Sequence, residues 1–308
     1  MSVYTSNTLN KKNHNEAWSK IFNFVKPNSR ILDVGCSSGR LGSELIKEKN
    51  AYVVGIDIDK EDIEIAKKNL NEAYIFDLEH DDFKSLGKFD TVIFADVIEH
   101  LINPVSVLKK IKNNILPNGQ LIFSVPNMAN GIVRLELLAG RFEYKQWGLL
   151  DRTHLHYYDL PELEKVLGSS GYAITKLDCK IKDIPEKLIG DELSKVGLVL
   201  TKEFVAFLHK PESVIYQFIG IARPGKPKKA VDGVTKTPFD IVDKEIKKNE
   251  TKIADSEKEI AQLRSDLEKA INEREYANNE LKKILKSKSW RYTQKIRSTR
   301  ALFKPKDQ

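Results

Sequence analysis

Cysteine is nearly absent: Cys36 and Cys179 are the only two in 308 residues. Two thiols are too few for a disulfide scaffold or a four-cysteine zinc site. Long apolar runs are missing too. No stretch of about 18 such residues occurs, so nothing reads as a membrane-spanning helix. The first residues, MSVYTSNTLNKKNHNEAW, lack the apolar segment of a signal peptide, and a reducing cytoplasm is the expected compartment. An excess of charge of one sign is missing from most of the chain. Lys+Arg 51 against Asp+Glu 44 gives a net charge of +7. Residues 286–308 hold eight basic residues against one acid, Asp307, and residues 1–285 balance at 43 each. The charge belongs to a tail, which disfavours a protein that coats nucleic acid.

Hydrophobic residues at 41% allow a core, and 31% charged residues require solvated stretches. Residues 1–224 read as one α/β domain. Apolar runs at Arg30–Val34, Tyr52–Ile56, Ala73–Phe76, Thr91–Phe94 and Gln120–Val125 have the composition of buried parallel strands. Helical patterns at Leu41–Lys49, Asp62–Asn69 and Val105–Asn113 lie between them. This alternation predicts a doubly wound, mostly parallel sheet. Ala173–Asp178 and Ile215–Ala222 are further strand candidates, and a helix starts near Leu160-Pro161-Glu162.

Residues 225–240, rich in Pro, Gly and Lys, read as a linker. From residue 241 to 287 a seven-residue period takes over. Its first core position falls on Ile246, Ile253, Ile260, Leu267, Arg274 and Leu281, and its second on Asn249, Ser256, Leu263, Ala270, Ala277 and Ile284. The pattern predicts a coiled coil, through which the chain would oligomerise or meet a partner enzyme. Asn249 and Arg274 in the seam would weaken it and could fix its register.

Ile31-Leu32-Asp33-Val34-Gly35-Cys36-Ser37-Ser38-Gly39 carries the most information. A strand runs into a Gly-x-x-x-Gly turn that precedes a helix. Glycines let a backbone approach a ligand closely, and the turn's N–H groups suit an anion. Ser37 breaks the dinucleotide Gly-x-Gly-x-x-Gly fingerprint, and no P-loop Lys follows. Taken alone, the pair of glycines is also compatible with an ordinary tight turn. The second strand ends in Asp57, about twenty residues on, where an acid accepts ribose hydroxyls; the third ends at Asp77, which can accept an exocyclic amine. Singly, each acid could be a helix cap or a turn former.

Together these residues resemble the class I S-adenosylmethionine-dependent methyltransferases over about residues 14–224. The resemblance implies a seven-stranded sheet with Ile215–Ala222 as its antiparallel strand, and S-adenosyl-L-methionine as cofactor. It implies cofactor contacts from Asp33, Gly35, Cys36 and Gly39, from Asp57 and Ile58, from Asp77 and Leu78, and from Asp96 and Val97. Leu116-Pro117-Asn118-Gly119-Gln120 resembles the turn before the fifth strand. The Glu99-His100 pair is similar to that of the ubiquinone-biosynthesis-type O-methyltransferases.

Methylating an alcohol requires a base to take the proton. His100 and the segment Asp151-Arg152-Thr153-His154-Leu155-His156-Tyr157-Tyr158 supply the candidates: His100, His154 and Asp151 as catalytic residues. Each histidine could equally pack as a structural residue. If the segment is extended, His154 and His156 share one side. No third strong ligand is evident beside them, so no metal is expected. Asn127, Arg134, Arg152 and His156 are the substrate candidates. Residues 128–150, with Arg141, Tyr144 and Trp147, would form a lid. The Asn-Pro-Pro-aromatic motif of amino-methylating DNA enzymes is absent, because Asn103-Pro104-Val105-Ser106 does not match it.

The segment Ser289-Trp290-Arg291-Tyr292-Thr293 lies behind the coil, within the basic residues 288–308. It is similar to C-terminal segments of bacterial cell-surface polysaccharide enzymes. The expected substrate is therefore a sugar of a surface polysaccharide or lipid-linked glycan. The tail would sit on the anionic inner face of the membrane. A soluble small molecule is the alternative acceptor, and a protein or nucleic acid gripped by the tail is another.

Overall fold

The computed structural model describes residue 13, residues 15–225 and residues 238–301. Five strands alternate with helices as the apolar runs require: β1 (Arg30–Val34), α2 (Arg40–Lys49), β2 (Tyr52–Asp57), α3 (Lys60–Asn69), β3 (Glu72–Ile75), β4 (Phe89–Ala95), α4 (Pro104–Ile111) and β5 (Ile115–Pro126). A helix α1 (Ala17–Phe24) precedes them. After β5 come α5 (Gly131–Leu138), α6 (Leu160–Ser169), β6 (Tyr172–Ile181), α7 (Glu186–Lys195), α8 (Lys202–Leu208), α9 (Pro211–Val214) and β7 (Ile215–Pro224).

The seven strands form one sheet in the order β3-β2-β1-β4-β5-β7-β6. The first five are parallel, and β7 runs antiparallel to both β5 and β6. Ile31, Leu32, Ile93, Phe94, Ile122 and Phe123 on the central strands are fully buried. Each such side chain contributes about 1.5–3 kcal/mol relative to exposure. Chain order reverses between β1 and β4. Their adjacent C-terminal ends therefore open a crevice that no crossover covers, and ligands of such sheets bind there.

Local chemistry sets the helix starts around that crevice. Asp59 accepts the Asp62 N–H at 3.0 Å and caps α3, while Asn103 accepts the Ser106 N–H at 3.1 Å and caps α4 ahead of Pro104. One sequence expectation needs correction. Leu116–Gly119 is not a turn before β5 but an irregularity inside it, since pairing with β4 jumps from Phe89↔Ile115 to Thr91↔Gln120. Gly119 permits this, because a Cβ there would lie 2.9 Å from the Asp90 carbonyl oxygen.

The chain divides into two compact units, Met1–Glu245 and Ile246–Gln308. The second consists of most of α10 (Pro238–Lys286), a helix of 49 residues, and of α11 (Lys288–Ala301). Of the expected linker at 225–240, residues 226–237 lie outside the described residues and 238–240 belong to α10. The last residues of the basic tail, 302–308, also lie outside them. Among the described residues no helix is long and apolar enough to cross a membrane.

Candidate active site

The Gly35–Gly39 loop folds back against its own sheet. Gly35 (φ +67°) and Gly39 (φ +77°) adopt left-handed backbone, and Ser37 joins them at φ +46°. A Cβ on Gly35 would lie 2.6 Å from Val97 Cγ2, so only glycine lets the loop sit this close to the end of β4. The turn's N–H groups differ from the sequence expectation. Gly35 and Cys36 donate to the Ile56 carbonyl, Ser37 to Asp57 Oδ2 and Gly39 to the Cys36 carbonyl. These four donors are taken by the protein itself, so the loop provides shape more than an anion cradle.

The loop walls a cavity of about 540 Å³ at the C-terminal ends of β1, β2 and β4. Six carboxylates line it (Asp33, Asp57, Asp62, Asp77, Glu79 and Asp96), against one guanidinium, Arg40. The imbalance favours a cationic ligand. Burial pushes the Asp33 carboxyl up to about 7, with Asp57 adding repulsion, and Asp33 Oδ2 has no partner within the protein. Asp57 accepts from Ser37 N at 2.8 Å and from Asp59 N at 2.9 Å, which fixes its carboxylate at the strand tip. The Asp77 carboxyl is held below its ordinary range by His80 Nδ1, 2.9 Å away, and by the Glu79 N–H. Apolar walls come from Ile58, Phe76, Leu78, Val97 and Leu101, and from Trp18 on α1.

Asp96 follows β4 with φ +56°, a strained conformation for a non-glycine residue. Its Oδ1 accepts from Ser124 Oγ on β5 at 3.1 Å and from Gln217 Nε2 on β7. Burial nevertheless raises its pKa, against the pull of those two donors. Three residues on, Glu99 is fully buried with neither carboxylate oxygen partnered. Burial, then repulsion from Asp96, pushes it well above the usual carboxylate range.

His100 lines the cavity, and its Nδ1 lies 3.1 Å from the Thr153 carbonyl oxygen. A carbonyl only accepts, so Nδ1 carries a proton, and in the neutral tautomer this selects, Nε2 keeps the lone pair. The His154 ring packs edge-on at 4.8 Å behind it. Burial, reinforced by His100, lowers the His154 pKa and keeps that ring neutral. The ligand atoms of Glu99, His100 and His154 lie within 4.8 Å of one another, close enough to hold a divalent cation.

Other sequence candidates lie elsewhere. Residues 151–158 are a turning loop rather than an extended run. The N–H groups of Leu155 and His156 both donate to the Glu99 carbonyl. His156 faces the Ile102 carbonyl at 3.3 Å and stacks on Tyr158. Asp151 is buried and accepts the Thr153 N–H and hydroxyl, which shapes the loop. Asn127 is 1% exposed, and its amide ties β5 to the carbonyls of Glu212 and Ile215. Arg134 lies over the Phe207 ring, and Arg152 is exposed. None of Asp151, His154, His156, Asn127, Arg134 and Arg152 lines the cavity, whereas Thr153 does. Tyr144 and Trp147, expected in a lid, are exposed. Trp18 and the Ser124–Asp96–Gln217 clamp went unread in the sequence, for their positions depend on contacts between distant segments.

Comparison with known proteins fits this geometry. Residues 9–177 match the model of a family described as a methyltransferase domain. The ubiquinone biosynthesis O-methyltransferase of Vibrio campbellii is 34% identical over 104 residues, covering 32% of this chain and 44% of that protein. Its counterpart from Actinobacillus pleuropneumoniae serotype 7 is 29% identical over 126 residues, covering 38% and 53%. The chain thus spans about half the length of the curated relatives it matches. Among solved structures, a SAM-dependent methyltransferase from Archaeoglobus fulgidus aligns at 18% identity and a TM-score of 0.46, over 66% of this chain and 89% of that one.

Proposed function

We propose that this chain, which belongs to the methyltransferase-domain family whose methyl donor is S-adenosylmethionine, methylates a hydroxyl of a sugar in a cell-surface polysaccharide or a lipid-linked glycan precursor. The observation that carries an oxygen acceptor is His100, a histidine at the cavity wall whose Nδ1 is held by the Thr153 carbonyl, which leaves Nε2 for a proton. The name O-methyltransferase carried by the curated relatives supports the same acceptor atom.

The residues present fit the cofactor. Asp57 would take the ribose hydroxyls, with Ile58, Phe76, Asp77 and Leu78 around the adenine. Asp33, Gly35, Asp96 and Val97 would border the methionine end. The unpartnered Asp33 oxygen and the cavity's six carboxylates are what a cationic ligand would satisfy. When bound, S-adenosylmethionine supplies a methyl group already activated on a sulfonium. The protein's own part is to position the acceptor and remove its proton. His100 Nε2 takes the proton, and the Thr153 carbonyl holds the ring in the required tautomer. His154, kept neutral by burial, adds no second positive charge beside it. Burial raises the Glu99 pKa, which favours its neutral form over an uncompensated interior anion.

Two features favour a glycan. Tyr144 and Trp147 stand exposed, as sugar stacking requires. The Ser289-Trp290-Arg291-x-Thr293 segment resembles those of surface-polysaccharide enzymes. A soluble aromatic acceptor is the second reading, favoured by the relatives named for ubiquinone biosynthesis. Labelled methyl transfer from S-adenosylmethionine into fractionated cell extract separates the two. Label in the glycan or lipid-linked fraction supports the proposal, and label confined to soluble small molecules rejects it. His100→Ala is expected to lower kcat by roughly 10²–10⁴-fold while cofactor affinity stays within about threefold, as for loss of a general base. Full turnover in that variant would remove the base assignment.

A further inference from the structure

Over residues 247–286, α10 presents its apolar seam to solvent. Ile253, Ile260, Leu263, Leu267, Leu281 and Ile284 are each between 50% and 62% exposed. Six large aliphatic side chains in a seven-residue repeat leave a stripe that water disfavours. The stripe alone does not say what covers it, but the charges beside it do.

Position g, just before each first core position, falls on Glu245, Lys252, Glu259, Asp266, Glu273 and Glu280. Position e, just after each second core position, falls on Glu250, Glu257, Arg264, Ile271, Asn278 and Leu285. Two such helices can pair in two directions. In an antiparallel pair, g faces g. Four consecutive g positions, 259 to 280, are acids, so any antiparallel alignment over the seam sets acid against acid. In a parallel, in-register pair, each g faces the e five residues later on the other copy. Lys252 then meets Glu257 and Glu259 meets Arg264. Asp266, Glu273 and Glu280 meet the uncharged Ile271, Asn278 and Leu285. Arg274, the charged residue in the seam, lies beside Glu273 of the second copy. The like-charged contact is Glu245 with Glu250, at the end of the seam.

From this pattern we infer that α10 pairs with a second copy of this chain as a parallel, in-register, two-stranded coiled coil. The complementarity is internal to one sequence: each attractive pair occurs twice about a two-fold axis, as a homodimer requires. Ile253 and Ile260 at the first core position, with Leu263 at the second, favour two strands in the first half of the seam, while Leu281 and Ile284 near its end have the reverse pattern. Arg274 fits the same choice, because its head can leave a two-stranded seam for solvent. The pairing brings the two copies of Lys288, Arg291 and their basic neighbours to one end of the coil, doubling the cationic charge there. It does not depend on which acceptor the catalytic unit methylates.

Sedimentation equilibrium of the full chain at micromolar concentration should give twice the monomer mass; a monomer or a trimer overturns the inference. Ser256→Cys tests direction. In a parallel pair residue 256 abuts its own mate, whereas an antiparallel pair of these helices sets it near residue 281. Mild oxidation should convert most of the variant to a covalent dimer, with the native chain, whose Cys36 and Cys179 are buried, as the control. A dimer that resists this cross-link is antiparallel and contradicts the proposal. Glu259→Lys should weaken the dimer about tenfold by setting Lys against Arg264 twice, and Glu259→Lys with Arg264→Glu should restore it. Failure of the double variant to restore affinity removes the charge argument.

Discussion

Asp33 shows how a single side chain records what the cavity is for. It is fully enclosed, one oxygen lacks a partner, and its pKa stands near 7 instead of the ordinary 3.8. An acid whose pKa is raised on folding binds more protons in the folded state, so stability falls as pH rises between the two values. Without cofactor, the chain should therefore lose stability between about pH 4 and pH 7. The full shift corresponds to roughly 4 kcal/mol. Asp33→Asn should flatten that dependence in thermal melts at pH 5 and pH 8 and raise the melting temperature at pH 8. The same change should weaken cofactor binding. A variant that melts with the native pH dependence would show that the burial cost is carried elsewhere. Such a carboxylate is readable in sequence as the end of an apolar strand, but its lack of a partner is not. Glu99 shows the same limit more strongly. Beside Ile98 and Leu101 it reads as part of a familiar pair, and only the loop of residues 153–156, folded over it, makes it a fully buried acid.

At the scale of elements, the site consists of strand tips and the loops that follow them. Gly35 belongs to this level, because its side-chain hydrogen is replaced only at the expense of the β1–β4 junction. Gly35→Ala should lower the melting temperature by several degrees, since it combines a left-handed backbone with a 2.6 Å contact to Val97. It should weaken cofactor binding as well. Gly197→Ala, at φ +74° with nothing within 4 Å of the added carbon, serves as the control for backbone strain alone. Equal effects of the two would mean that the close approach to Val97 does not matter. The alternation of strand and helix up to β5 is legible because each apolar run is local and buried on both faces. Between β5 and β7 the start of α6 and the strand β6 are legible too, but α5, α7 and α8 are not, because they pack as a satellite cluster around Leu135, Ile184, Ile189 and Leu193, joined by contacts far apart in sequence. Asn127 illustrates the consequence: a polar residue after a strand reads as a substrate ligand, while its amide in fact fastens β5 to the start of β7.

At the scale of the molecule, the +7 charge separates from the chemistry. The cavity is acidic, the chain up to residue 285 is neutral, and the cations gather after α10. A chain ended after Ser287 should lose partitioning onto vesicles containing anionic lipid, and the loss should be larger at low salt. It should keep its affinity for S-adenosylmethionine. Unchanged partitioning would reject the tail as a membrane contact. The most direct test of the whole account is calorimetric titration of the full chain with S-adenosylmethionine. One binding site per chain is expected, with affinity reduced roughly ten- to a hundredfold by Asp57→Ala, the loss of hydrogen bonds to a charged acceptor. No heat of binding in the native chain, or an Asp57→Ala variant that binds equally well, would contradict it.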